Sequence, residues 1–313
     1  MYIFTVLILA LGLSISSTLT MKGVAFAIGA LDTPNEKRKM HEKIIPRGAG
    51  VSMFFAFTLA FLFSLFLRRD SVSSLSGAIL SGGALIVGIG LSDDIFSIPA
   101  RLKLISEVAV CFIPIAFGIR IDALSVGSAV LPLPPFLSVL FSFLFILLLT
   151  NAFNLIDGLD GLAAGVSLIS LSSLFLSGDG NEFSFLCASL IGAVLGFLPY
   201  NKHVASLFMG DSGSLFLGYA ISLLAIAVGD SGNTESGGFT LPVLPVLLIL
   251  LYPVCDTVFA ILRRLKMKKS IFEADANHIH HRLLRMGLSH ERAVLTLLLF
   301  SFIFATLGTL LLL

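Results

Sequence analysis

Apolar residues in this chain run in blocks of about twenty, the length a helix needs to cross a bilayer core about 30 Å thick. The blocks lie near residues 2–21, 49–67, 75–92, 103–120, 135–153, 160–177, 183–200, 213–229, 240–262 and 292–312. This pattern predicts an all-α integral membrane protein of about ten transmembrane helices, with residues 1–313 forming one polytopic membrane domain. Only a few residues separate the fifth block from the sixth. No internal repeat is evident, and that argues against the inverted-repeat plan of many transporters.

Composition agrees: 57% of the residues are hydrophobic and 12% are charged, against about a quarter charged in soluble domains. The net charge of +1 says little, whereas its placement says much. Loops after odd-numbered blocks hold seventeen Lys and Arg residues; those after even-numbered blocks hold three, Arg68, Arg69 and Arg120. The positive-inside bias makes the odd loops cytoplasmic and puts both termini outside the cell's inner (plasma) membrane. The first stretch, MYIFTVLILALGLSISSTLT, has no basic residue ahead of its apolar run, and its first cation is Lys22. It reads as a retained first span rather than a signal peptide. There is no basic tail or arm, so no nucleic-acid partner is expected. Cys111, Cys187 and Cys255 lie in apolar stretches at no metal-like spacing and read as packing residues.

Polar residues inside this apolar background carry the chemistry. NAFNLIDGLDGLAAG, residues 151–165, sets Asn151, Asn154, Asp157 and Asp160 three apart, which on a helix gives one polar stripe. A carboxylate at mid-bilayer costs about 2.5–3.5 kcal/mol, so two carboxylates and two amides imply a partner or an aqueous opening. The stripe reads as a floor for a charged ligand and its metal, the plainer alternative being a polar packing seam. GLSDD ends the third block with adjacent Asp93 and Asp94, a natural claim on Mg²⁺, although a solvated turn has the same form. FMGDSGSLFLG places Asp211 where a helix begins; backbone amides there can receive phosphate while Asp211 holds a metal, or the Asp is simply a cap. These acids fall on the side marked cytoplasmic by the cations, which favours a cytoplasmic active site over a mid-membrane ion path.

Two loops add cations. ADANHIHHRLLRMGLSH supplies His278, His280 and His281 beside Arg282 and Arg285. A Zn²⁺ site is conceivable, but no Cys is near and the zincin spacing is absent; imidazoles beside guanidiniums suit anionic oxygens, and a solvated topogenic loop is the third reading. The first loop, DTPNEKRKMHEKIIPRGAG, packs Lys37, Arg38, Lys39, His41, Lys43 and Arg47 together. Such cations hold a lipid phosphate or merely face anionic headgroups.

Taken together, NAFNLIDGLDGLAAG, GLSDD, MGDSGSLFLG and HIHHRL resemble the polyprenyl-phosphate N-acetylhexosamine-1-phosphate transferase family, in its order, from residue 32 to about residue 285. The HIHHRL form is similar to the WecA/TagO-type branch, which takes UDP-N-acetylglucosamine (UDP-GlcNAc). The resemblance implies a ten-span enzyme whose cytoplasmic loops form the site. Undecaprenyl phosphate attacks the β-phosphate of the UDP-sugar, giving undecaprenyl-diphospho-sugar and UMP, with Mg²⁺ as cofactor and Mn²⁺ as a substitute. Such a reaction is the first membrane step of a cell-envelope glycan pathway. By family motif, Asp211 is a principal metal ligand, and Asp93 and Asp94 bind metal or accept a proton. Asn154, Asp157 and Asp160 line the nucleotide-sugar pocket, Phe208 stacks on uracil, and Asn201 reads the base edge. His278, His280 and His281 contact the diphosphate, and Lys103 sits near phosphate. The first loop departs from the family pattern in having Gly48-Ala49-Gly50 after Arg47, so no single cation is assigned the lipid phosphate. Another UDP-N-acetylhexosamine or UDP-MurNAc-pentapeptide is the alternative donor; a lipid or ion transporter is the alternative of another class. The glycines of several spans suit intramolecular packing and a homodimer seam equally.

Overall fold

The computed structural model describes residues 2–33, 44–178, 182–229, 238–268 and 277–313. Its helices are α1 (Tyr2–Ile28), α2 (Ala49–Arg68), α3 (Ser74–Phe96), α4 (Ala100–Ala116), α5 (Pro135–Ile156), α6 (Leu162–Leu176), α7 (Glu182–Asn201), α8 (Gly210–Ala227), α9 (Val243–Ile249), α10 (Leu251–Lys266), α11 (Ile279–Arg285) and α12 (His290–Leu312). Every apolar block of the sequence carries a helix. Among the described residues, seven helices are long and apolar enough to cross a membrane, or eight if α9 and α10, which meet at 86°, count as one span. The shortfall from ten has a length cause. Helices α4 and α6 have 17 and 15 residues, about 25 Å and about 22 Å of helix, less than the bilayer core.

The chain is not purely helical. β1 (Leu31–Asp32) pairs antiparallel with β2 (Ile45–Pro46) beside the first loop. At the far end of α4, β3 (Ile121–Val126) lies between antiparallel β4 (Ala129–Pro132) and parallel β5 (Phe239–Pro242). Alternation is too brief in these short strands to register as a period.

Helix α8 forms the centre. Every residue from Ser212 to Ile226 is buried, and the helix packs against α2, α3, α5, α6 and α7. Small residues let neighbours close on it: a Cβ at Gly90 of α3 would overlap the Ser212 backbone. By contrast α1 and α12 lie outermost, exposing Phe4, Ile8, Leu295, Phe302 and Ile303. In a protein of this composition those apolar faces meet lipid. The polar stripe is interrupted: α5 ends at Ile156, so Asn151 and Asn154 sit on the helix while Asp157 and Asp160 belong to the turn before α6. Gly161, at φ +76°, starts α6 in a conformation that favours glycine.

Candidate active site

Four elements converge on Asp211. It lies in the first turn of α8, facing the end of α3, the start of α4 and the last turn of α5. Lys103 contacts the Asp211 carboxylate and lies 3.4 Å from Asp93 Oδ2. Asn154 donates to Asp211 Oδ1 at 3.0 Å and to Ser214 Oγ at 2.9 Å. One cation therefore bridges two carboxylates whose helices are far apart in sequence.

Asp94 does something different from its neighbour. Its Oδ1 accepts the Asp211 amide at 2.9 Å; its Oδ2 accepts the Ser212 amide at 3.2 Å and the Ser212 hydroxyl at 2.9 Å. It is almost fully buried and serves as the cap of α8, a favourable place for a negative charge. The expectation that these α8 amides receive phosphate is thereby corrected, because Asp94 already takes them.

Asp157 follows α5 directly. Its carboxyl is pushed up to about 8, first by desolvation and then by the charges of Asp211, Asp94 and Asp160. Burial and the neighbouring carboxylates together disfavour its ionised form. The donors are carboxylate oxygens, with the Asn154 amide beside them, a hard-oxygen set that fits Mg²⁺ or Mn²⁺ and suits softer ions poorly. Asp93 and Asp211 share Lys103, and Asp157 lines the same cavity as Asp211, so these are the acids that would hold such an ion once they close on it.

A cavity of about 870 Å³ opens over this floor, lined among others by Arg47, Asp157, Asp160, Phe208, Asp211 and His281. The β2 end of the first loop is tied to it, since the Phe208 amide donates to the Pro46 carbonyl at 2.9 Å. Arg47 pairs with Asp32 at 2.5 Å. Arg38 and His41 lie outside the described residues.

The histidines form a stack. His278 Nδ1 lies 2.7 Å from Asp256 Oδ2, and Asp256 Oδ1 accepts the Ile279 amide at 2.7 Å. His278 and His280 stack at 5.7 Å, and the His280 and His281 rings lie 4.3 Å apart. His280 is buried against Gly158, where a Cβ would strike its ring, and neither of its ring nitrogens has a hydrogen-bond partner. Burial, then the charge of His281, pulls its titration down to about 3, so it is neutral at pH 7. Only His281 of the three lines the cavity.

Several expected residues are engaged by the protein itself or lie off the cavity. Asn151 donates to Glu107 Oε2 at 2.7 Å and to the Leu147 carbonyl at 3.0 Å, away from the cavity. Asn201 is buried, with Oδ1 accepting the Gly161 amide and Nδ2 donating to the Leu207 carbonyl, so its amide ties two loops together. Asp160 Oδ2 accepts the Ala205 amide at 3.1 Å and faces His203 Nδ1 at 3.2 Å. Arg282 is exposed and does not line the cavity. Four further residues went unread in the sequence: Glu107, Asp256, His203 and His290. For Glu107 and Asp256 the signal was present, an ionisable side chain inside an apolar helix.

Apolar helices gathered around an acid-lined mouth, with Lys103 between two carboxylates and a histidine stack beside them, define a multi-pass membrane enzyme. The chain belongs to glycosyl transferase family 4, whose model matches residues 76–229. It is 39% identical over 297 residues to the Bacillus subtilis (strain 168) "Probable undecaprenyl-phosphate N-acetylglucosaminyl 1-phosphate transferase", covering 91% of this chain and 78% of that protein. It is 34% identical to the decaprenyl-phosphate N-acetylglucosaminephosphotransferase of Mycobacterium tuberculosis (strain ATCC 25618 / H37Rv), covering 88% of this chain and 74% of that one. Against the Escherichia coli (strain K12) undecaprenyl-phosphate alpha-N-acetylglucosaminyl 1-phosphate transferase the identity is 30%, over 92% of this chain and 78% of that protein.

Proposed function

We propose that this protein transfers N-acetylglucosamine 1-phosphate from UDP-GlcNAc to undecaprenyl phosphate, giving undecaprenyl-diphospho-GlcNAc and UMP. The observation that carries the reading is the pairing of Asp93 and Asp211 through Lys103 beside the cavity that Asp211 lines, in a chain whose relatives bear the names of that reaction. Transfer between two anions needs charge neutralisation and alignment more than covalent help.

Asp93, Asp211 and Asp157 would hold Mg²⁺, with Mn²⁺ as a substitute; when bound, the ion neutralises diphosphate charge. Lys103 orients the Asp93 and Asp211 carboxylates and faces phosphate oxygens. Asn154 fixes Asp211 by its amide hydrogen bond, and Asp94 fixes the helix that carries it. His281 and Arg47, on the cavity wall, meet the anionic oxygens of donor and acceptor. Phe208 offers an aromatic face for uracil. The acceptor is a phosphomonoester with a second pKa near about 6, so it reaches the site largely dianionic and is already nucleophilic. One anhydride and one monoester are exchanged for another of each, so the reaction runs backward with UMP.

The acid-lined mouth faces the cytoplasm of a cell whose plasma membrane the chain crosses ten times, α4 and α6 included, with both termini outside. The seventeen-to-three distribution of cations supports this orientation. The test is transfer of radiolabel from UDP-GlcNAc to undecaprenyl phosphate by purified protein in detergent, with and without Mg²⁺, beside Asp211→Asn. Metal-dependent lipid product with UMP release, lost in the variant, is the expected result. Turnover only with another UDP-sugar would overturn the donor and keep the chemistry, and folded protein inert with every UDP-sugar would overturn the reading.

A further inference from the structure

Beside the carboxylate mouth, three segments bring a second set of donors together. Asp160 comes from the turn between α5 and α6, His203 from the loop after α7, and His290 from the first residue of α12. One ligand atom from each lies within 4.8 Å of the other two. The His203 and His290 rings stack at 4.3 Å with 20° between their planes. His290 Nε2 accepts the Asp160 amide at 3.2 Å, while its Nδ1 is enclosed without a hydrogen-bond partner.

We propose that Asp160, His203 and His290 form a second cation site, for a borderline transition ion such as Zn²⁺, separate from the carboxylate cluster. Two imidazoles and one carboxylate supply three protein ligands and leave a fourth position open, a donor set that Zn²⁺ accepts. Imidazole selects Zn²⁺, Co²⁺ or Ni²⁺ over Mg²⁺, whereas the Asp93, Asp157 and Asp211 oxygens select the reverse. The two clusters therefore sort ions by donor chemistry although they share one cavity. Asp160 already has an outer support, the Ala205 amide at 3.1 Å, which orients its carboxylate as ligand supports do.

An ion approaches an imidazole edge-on, so the stacked rings must part. His203 is the ring free to turn: it sits in a loop with its side chain 39% exposed. His290 stays in place on α12, against a second cavity of about 490 Å³ walled by Leu195, Leu198, Val294 and Leu298. Occupancy ties the outermost helix to the turn that carries Asp157 and to the loop that leads to Phe208 and Asp211. The ion thus acts as a strap across the mouth from its lipid-facing side.

The experiment is equilibrium dialysis of the purified full-length protein in detergent against Zn²⁺ alone and against Zn²⁺ with excess Mg²⁺, read by elemental analysis, with X-ray absorption at the zinc edge. The expected result is one Zn²⁺ per chain that Mg²⁺ does not displace, with a nitrogen and oxygen shell containing two imidazoles. His290→Gln and His203→Gln should each weaken retention at least tenfold; His281→Gln should leave it unchanged. Absence of stoichiometric Zn²⁺, sulfur in the shell, or retention indifferent to His290→Gln and His203→Gln would overturn the site. Loss in His281→Gln instead would assign the ion to the histidine stack and equally overturn it. The absorption spectrum of the unmodified protein decides the matter even where a variant fails to fold.

Discussion

The acids at opposite ends of α4 show what separates a structural carboxylate from a chemical one. At the sheet end, Asp122 is saturated: Oδ1 meets Arg120 Nε at 2.9 Å and accepts the Ser138 hydroxyl at 2.5 Å, and Oδ2 accepts the Gly238 amide at 3.1 Å. Among the described residues Arg120 faces its charge, and both oxygens have partners. At the mouth, Asp93 and Asp211 share Lys103, while Asp157 and Asp211 line an open cavity. Asp122 is buried with its oxygens engaged, whereas Asp93, Asp157 and Asp211 are half-buried, and Asp157 and Asp211 face a space where a ligand fits.

Substitutions can break that comparison. Asp211→Asn should lower transfer by about 10²–10³-fold while leaving the melting temperature nearly unchanged, as measured by radiolabel incorporation and thermal unfolding in detergent. Asp93→Asn should do the same; near-normal turnover with unaltered Mg²⁺ affinity would rule out a proton-accepting role. His278 loses its carboxylate partner in Asp256→Asn, and kcat should fall about tenfold with KM for UDP-GlcNAc nearly constant. Asp122→Ala inverts the pattern. It deprives the Gly238 amide and Ser138 hydroxyl of this acceptor, costing about 1–3 kcal/mol of stability by denaturation, with kcat of the folded fraction retained. Loss of activity without loss of stability there would erase the distinction between the two ends.

A further expectation concerns pH. His280 titrates near about 3 in the folded protein against an ordinary value of 6.5. Between those values the unfolded chain binds a proton that the folded one does not, so this stability is full above pH 6.5 and drains away as pH falls toward 3. His280→Gln should flatten that slope, read as melting temperature against pH.

The acids at the mouth were legible because they stand close together in motifs, each a breach of an apolar run. The helix positions were legible for the same reason, since hydropathy reports burial in lipid or protein alike. Direction was not. Asn151 and Asn154 share a helix face three residues apart, yet one meets Glu107 and the other Asp211, because a three-residue step drifts around the helix. Asp93 and Asp94 are adjacent and part ways for a similar reason: about 100° of helix turn sends one to Lys103 and the other to the α8 amides. His203 and His290 are single residues far apart in sequence, and only the meeting of the loop after α7 with the start of α12 at Asp160 makes them neighbours. The small sheet was invisible because its strands are two to six residues long.

The cap that Asp94 places on α8 carries one more consequence. With the Asp211 and Ser212 amides already taken, that helix turn has little left to offer a diphosphate, so on the proposed reaction donor and metal ion must supply much of each other's attraction. Such dependence is reciprocal: whatever factor the ion adds to the affinity for UDP-sugar, the UDP-sugar adds to the affinity for the ion. The concentration of Mg²⁺ needed for half-maximal rate should therefore fall as donor concentration rises, and an enzyme in a donor-rich cell would run on scarcer magnesium.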